Sequence, residues 1–249
     1  MLYLRSLLYL TGQIITTMIV SLIAICCFFL PSLTRAKVIS IWARFNIWTL
    51  RMLCGISYRV TGAENIPRQP SIVISNHQSA WETLCFQLIF PAQSYLIKRE
   101  LLWLPFFGWG LAMNRPIAID RSKKTKALEH LIKQGIIRLN EGRWLVIFPE
   151  GTRMAPGKPG EFQVGGAMIA AKSGHPIVPV AHNAGLFWSK NGFLKYPGVV
   201  DVIIGPVIET RGRKTREINR EVEAWIYANL EKLPDSRPSS RSGSRPGSR

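Results

Sequence analysis

Residues 71–83 read SIVISNHQSAWET. An apolar, β-branched run stops at Asn76-His77, and a helix-like segment begins within a few residues. Ser79-Ala-Trp-Glu82 fits a capping box, with Ser79 as N-cap and Glu82 at N3. A buried strand that runs into a polar turn and then a helix is the unit of an α/β fold. The same turn carries possible chemistry. Five residues separate His77 from Glu82, which puts them about 140° apart around a helix and off any shared face. If the helix starts at Ser79, however, His77 lies in the loop and Glu82 can reach back to it from the first turn. A carboxylate on one ring nitrogen fixes the tautomer and raises the basicity of the other, as a general base requires. Spacing alone fits a capping residue beside a structural histidine equally well.

Outward from this stretch, short β-branched or aromatic runs alternate with helical periodicity. Strands are expected at 71–75, 94–97, 117–119, 144–148, 177–181 and 199–204, and helices at 82–89, 125–139, 163–173 and 215–233. Such alternation predicts an α/β fold with a largely parallel central β-sheet flanked by helices. Ligands gather where the strands of such sheets end. Asn76-His77, Asp120-Arg121, residues 149–153 and His182-Asn183 all follow expected strands, and four polar strand ends could line one cleft.

The N-terminus has another character. No charged residue falls between Arg5 and Arg35, and 7–30 is mostly apolar. Twenty-four helical residues reach about 36 Å, enough to cross a hydrocarbon core. The run is too long for a cleaved leader and no A-x-A-like site follows, so an uncleaved anchor is expected. After it, Lys37, Arg44 and Arg51 recur every seven residues on one helical stripe, with Val38, Ile41, Trp42, Phe45, Trp48 and Leu50 filling most of the remainder. This reads as an interfacial amphipathic helix on anionic membrane lipids. Arg35, Lys37 and Arg44 outweigh Arg5, which places the bulk of the chain on the cytoplasmic side of a bacterial inner membrane. Three regions follow: a membrane anchor with an interfacial helix (1–54), a catalytic domain (55–234) and a disordered basic tail (235–249).

Thirty-two Lys and Arg against 15 Asp and Glu give a net charge of +17, and the tail's four arginines account for only four of those charges. An anionic partner is implied. A membrane-tethered nucleic-acid-binding module is one candidate, but it lacks a basic stripe interleaved with exposed aromatics on a soluble face and leaves His77 and Glu82 without a role, so no nucleic acid is expected. Four cysteines at 26, 27, 54 and 85 have no metal spacing and fit buried thiols in a reducing compartment.

A second stretch, FPEGTR at 148–153, follows the strand-like RWLVI. Its turn exposes backbone N–H groups, a hydroxyl and a guanidinium together, the ingredients of a phosphate or carboxylate site. Taken with NHQSAWE, it resembles the N-H-x-x-x-x-D and F-P-E-G-T-R signatures of the glycerophosphate acyltransferase superfamily. Residues 98–121 and 177–183 resemble the superfamily's other two blocks, all four in order. Glu82 stands where the usual residue is Asp, so the loop must absorb one methylene. The resemblance, closest to the bacterial lysophosphatidate acyltransferases, implies transfer of an acyl group from acyl-ACP or acyl-CoA, with no other cofactor, to the hydroxyl of 1-acyl-sn-glycerol-3-phosphate. It implies His77 as base oriented by Glu82, and Lys98, Arg121 and Arg153 on the acceptor's phosphate, with Glu150, Gly151 and Thr152 in the phosphate-binding turn. Another lyso-lipid, such as a lyso-ornithine lipid, is the alternative acceptor.

Other residues read more plainly. No G-x-S-x-G elbow surrounds Ser79, which is left as a cap. His130 and His175 look structural, and His182 could line the cleft or simply end a strand. Arg115 could reach the cleft from its place before Pro116. In the charge-free run LLWLPFFGWGLAM (101–113), Pro105, Gly108 and Gly110 argue against a regular helix. An aromatic loop along the acyl-chain route or in lipid is expected instead.

Overall fold

The computed structural model describes residues 1–120, 124–158 and 160–237. Helices α1 (Leu2–Cys26) and α2 (Ser32–Cys54) form a hairpin ahead of strand β1 (Ile56–Thr61). Then follow β2 (Ile72–Ser75), α3 (Trp81–Ile89), β3 (Gln93–Lys98), α4 (Phe107–Met113), β4 (Ile117–Ile119) and α5 (Lys124–Asn140). The chain continues through β5 (Trp144–Ile147), α6 (Gly165–Ser173), β6 (Ile177–His182), β7 (Gly198–Ile204) and α7 (Thr215–Leu230). The strands form one sheet in the order β1-β7-β6-β2-β5-β3-β4. Neighbours run parallel except β6 and β7, which are antiparallel. The α/β fold with a largely parallel sheet is therefore the one the alternation predicts.

Strand β1 was not among the expected strands, although Ile56, Tyr58 and Val60 alternate with Ser57, Arg59 and Thr61; only Ile56 of the six is buried. Central strands are buried on both faces, which is why they read as unbroken Ile and Val runs. Val73, Val146 and Val178 point to a core shared with Trp81 and Phe86 of α3. Ile72, Ile74 and Ile147 point the other way, onto Ile169 of α6 and Val222 of α7.

Helix α1 is the one helix among the described residues long and apolar enough to cross a membrane, and only 17% of its most apolar window is buried. Cys26, expected as a buried thiol, is exposed at its end. Helix α2 divides its surface. Ala43, Ile47, Leu50 and Cys54 join the core of the domain, while Lys37, Arg44 and Arg51 are exposed together with Ile41, Phe45 and Trp48. The basic stripe thus borders the apolar residues instead of opposing them, and the helix is both a core element and an outward amphipathic surface. Arg143, fully buried, ties the hairpin to the sheet: its guanidinium donates to the Ser32, Gln93 and Asn114 carbonyls and to Ser94 Oγ.

The run expected as an aromatic loop contains a helix, α4. Gly108 and Gly110 do not break it; they let it pack closely. A Cβ on Gly108 would overlap the Leu102 carbonyl, and one on Gly110 would overlap the Ser21 hydroxyl of α1. Helix α1 is also gripped at its other end. Lys195, in the loop before β7, donates its backbone N–H to Ser6 Oγ at 3.0 Å and lays its ammonium over the Tyr9 and Trp188 rings.

Candidate active site

Strand β2 delivers Asn76-His77 to the C-terminal edge of the parallel strands, and helix α3 begins at Trp81 with Ala80 as N-cap. This lies one residue beyond the expected cap, and half of the box is formed: Glu82 Oε1 accepts from Ser79 N–H at 2.8 Å, whereas Ser79 Oγ accepts from Trp81 N–H at 3.1 Å and not from Glu82 N–H. Glu82 Oε1 also accepts from Gln78 N–H at 2.9 Å and meets His77 Nδ1 at 2.7 Å. One carboxylate oxygen therefore organises the whole turn, and the longer Glu side chain spans the distance.

Glu82 is fully buried. Burial alone would raise its pKa, but the nearby His182 and His77 imidazoles and the hydrogen bonds from His77 and Ser79 outweigh it and hold the carboxyl below its usual range. An ionised acceptor requires that Nδ1 of His77 carry the proton. The Nε2 lone pair is then left for chemistry. The imidazole is clamped flat on Phe148, with centroids 4.2 Å apart and planes 12° apart.

The FPEGTR turn follows β5, the neighbour of β2. Gly151 has φ 66°, a left-handed conformation that glycine adopts without strain. Glu150 Oε2 accepts the backbone N–H of His77 at 2.8 Å, and the His77 carbonyl accepts from Met154 N–H at 2.7 Å. The two sequence blocks are therefore knitted backbone to turn. Glu150 faces the histidine loop, and burial raises its pKa to about 7.

A cavity of about 850 Å³ opens against these groups. His77, Lys98, Gly151, Thr152, Arg153 and Lys190 line it. So do Met18 of α1, Ile39 and Trp42 of α2, Leu84 of α3, and Phe107 and Leu111 of α4. Among the described residues, three cations and no carboxylate line it. No group of three or more His, Cys, Asp or Glu side chains is placed to hold a metal ion among those residues.

Some expected residues are elsewhere. Arg121 lies outside the described residues, as do residues 238–249 of the expected tail. Asn76 and His182 are buried beneath the cavity and tie β2 to β6, with Asn76 Nδ2 donating to the His182 carbonyl at 2.9 Å. His182 is neutral, its pKa lowered by burial; Nε2–H donates to the Asn76 carbonyl and Nδ1 accepts from Ala184 N–H. Asn183 Oδ1 accepts from Asp201 N–H on β7, and Asp120 lies 3.9 Å from Arg99. Among the described residues, the ends of β2 and β5 line the cavity through His77 and residues 151–153, whereas Asp120, His182 and Asn183 do not. Arg115 pairs with Glu141 at 2.9 Å. Sequence reasoning missed Phe148 as the ring under His77, the contribution of α1 to the cavity wall, and Lys190.

Comparison with known proteins gives four findings. The family model described as Acyltransferase matches residues 57–183. A 1-acyl-sn-glycerol-3-phosphate acyltransferase of Pseudomonas aeruginosa is 47% identical over 208 residues, 82% of this chain and 81% of that one. One from Saccharomyces cerevisiae is 35% identical over 149 residues, 56% of this chain and 47% of that one. The crystal structure of the 1-acyl-sn-glycerophosphate (LPA) acyltransferase from Thermotoga maritima matches with a TM-score of 0.78 at 24% identity, covering 95% of this chain and 97% of that one. That last likeness bears on the fold.

Proposed function

The chain belongs to the acyltransferase family, and we propose that it acylates the sn-2 hydroxyl of 1-acyl-sn-glycerol-3-phosphate from an acyl thioester, with His77 as general base. It is an O-acyltransferase of phospholipid synthesis, and the product is phosphatidic acid. The observation that carries the mechanism is the 2.7 Å pair of His77 and buried Glu82, with His77 lining a cavity that Lys98, Arg153 and many apolar side chains also line.

Nε2 of His77 takes the proton of the acceptor hydroxyl as the oxygen attacks the thioester carbonyl. The resulting imidazolium is stabilised by Glu82, whose carboxylate is already ionised. Collapse of the tetrahedral intermediate breaks the C–S bond, and the imidazolium returns its proton to the departing thiolate. No acyl-enzyme forms. Lys98 and Arg153 hold the acceptor's phosphate through charge-assisted contacts, and the apolar lining receives an acyl chain. Acyl-ACP and acyl-CoA present the same reacting group, and no cofactor beyond that co-substrate is needed. The apolar α1 and the exposed face of α2 support attachment to the membrane. Arg35, Lys37 and Arg44 after α1 favour the cytoplasmic face of a bacterial inner membrane.

Loss of a general base typically costs 10²–10⁴-fold in rate, so a drop of about that size is expected for His77→Ala. Glu82→Gln should cost less, because orientation and charge are weakened while the base remains. Turnover of purified protein with 1-acyl-sn-glycerol-3-phosphate and each donor measures both. Wild-type turnover in His77→Ala would overturn the mechanism.

A further inference from the structure

Lys190 is outside every sequence block that marks the site and outside the 57–183 family match. It comes from the loop between β6 and β7, yet it lines the same cavity as His77, Lys98 and Arg153. Its ammonium donates to Thr152 Oγ1 at 3.2 Å, so it rests on the turn that carries Arg153. An ammonium has three donors, and this contact uses one.

The loop is built to hold its tip there. Trp188 and Lys195 are buried at its two sides, and Tyr196 N–H donates to the Phe187 carbonyl at 2.8 Å, closing the base. Lys195 Nζ donates to the Phe193 carbonyl at 2.7 Å, and its backbone N–H reaches Ser6 of α1. At the tip, Asn191 takes φ 58°, a left-handed conformation uncommon outside glycine, and it too lines the cavity. A closed loop, anchored on both sides and bent at its tip, thus carries a cation to a wall that has two other cations and, among the described residues, no carboxylate. Such a wall is complementary to an anion.

We propose that Lys190 is a further acceptor-positioning residue: it reaches from Thr152 to the phosphate of the lyso-lipid and clamps it opposite Arg153. This rests on the lysophosphatidate reading of the site. Its consequence is specificity for a phosphomonoester over an uncharged glycerol acceptor, supplied in part by a loop beyond the blocks.

The test is steady-state kinetics on the full-length protein in detergent, with 1-acyl-sn-glycerol-3-phosphate and with the phosphate-free 1-acylglycerol. Lys190→Ala should raise the KM for the phosphorylated acceptor about tenfold, as expected for losing one charge-assisted hydrogen bond at an exposed site. The loss should fall on KM more than kcat, leave the donor KM unchanged, and be restored in large part by Lys190→Arg. The phosphate-free acceptor should show no such rise. Arg153→Ala is the internal reference. An elevated acceptor KM in Arg153→Ala alongside a wild-type value in Lys190→Ala overturns the proposal and leaves the lysophosphatidate reading standing. A rise in donor KM in Lys190→Ala likewise overturns it, since the cation would then serve the thioester's carrier. Failure of the wild-type protein to acylate the phosphorylated acceptor at all overturns the underlying reading instead.

Discussion

Glu150 holds its proton to about pH 7 because burial disfavours its charge and the neighbouring Glu82 adds repulsion, against the opposing help of the His77 N–H. A folded-state pKa above the unfolded value means that the native protein binds the proton more tightly than the unfolded chain. The stability this contributes is complete below the unfolded pKa of about 4.3 and is lost as pH climbs through about 7. Glu150→Gln removes the titration but keeps an acceptor for the His77 N–H. Relative to wild type, the variant should gain stability between those limits and show a constant difference above them, as measured by chemical denaturation in detergent across a pH series. A difference that does not change with pH would show that Glu150 ionises alike in both states. At this scale the His77–Glu82 pair was legible because it is local, set by five residues of sequence and a capping box. Lys190 and Phe148 were not, since their roles arise from distant segments packed together. His182 stayed open between lining the cleft and ending a strand, because a polar strand end in sequence does not say whether it is exposed to a cleft or buried.

Among the elements, α4 shows how a helix breaker can be a packing device. Gly110 reads as a reason against a helix, but its missing side chain is what lets α4 lie against Ser21 of α1. Gly110→Ala should therefore destabilise the protein by about 1–3 kcal/mol, the usual cost of inserting a methyl into a filled contact. Adding Ser21→Gly to the same chain should recover part of that loss, because the overlapping hydroxyl is gone. Thermal unfolding of the two single variants and the double variant gives the coupling directly; additive losses would mean that the contact is not the cause. Strand β1 was legible but not read: Ile56, Tyr58 and Val60 alternate with Ser57, Arg59 and Thr61, the period of a strand, and β7 holds it at the sheet edge.

For the whole molecule, the exposed face of α2 and the largely exposed α1 predict a two-part attachment to anionic lipid. Removal of residues 1–30 should weaken binding to anionic liposomes without abolishing it, because Lys37, Arg44 and Arg51 remain exposed beside Ile41, Phe45 and Trp48. Each basic residue near such a surface contributes about 1 kcal/mol. The residual binding should fall as salt rises, and changing all three to Glu should release the truncated protein. Sedimentation across a salt series reads both effects, and full solubility of the truncated protein at low salt would reduce α2 to a core helix alone. The division of α2 between core and surface could not be read beforehand, because the same stripe of Lys and Arg fits a helix lying on lipid or one capping a sheet.

The grip of Lys195 on Ser6 spans 189 residues of chain. At about 5–20 residues per second, a ribosome needs roughly ten to forty seconds to make that interval. Throughout it, the first-made and most apolar helix has been completed while the ring and ammonium that will hold its start do not yet exist. The lipid surface is then the early partner of α1, and the protein's own loop is the late one. Strand β1 likewise waits for β7, whose Gly198 pairs with Ile56. On the proposed attachment of α1 to lipid, contact with the bilayer precedes closure of the cavity wall in time.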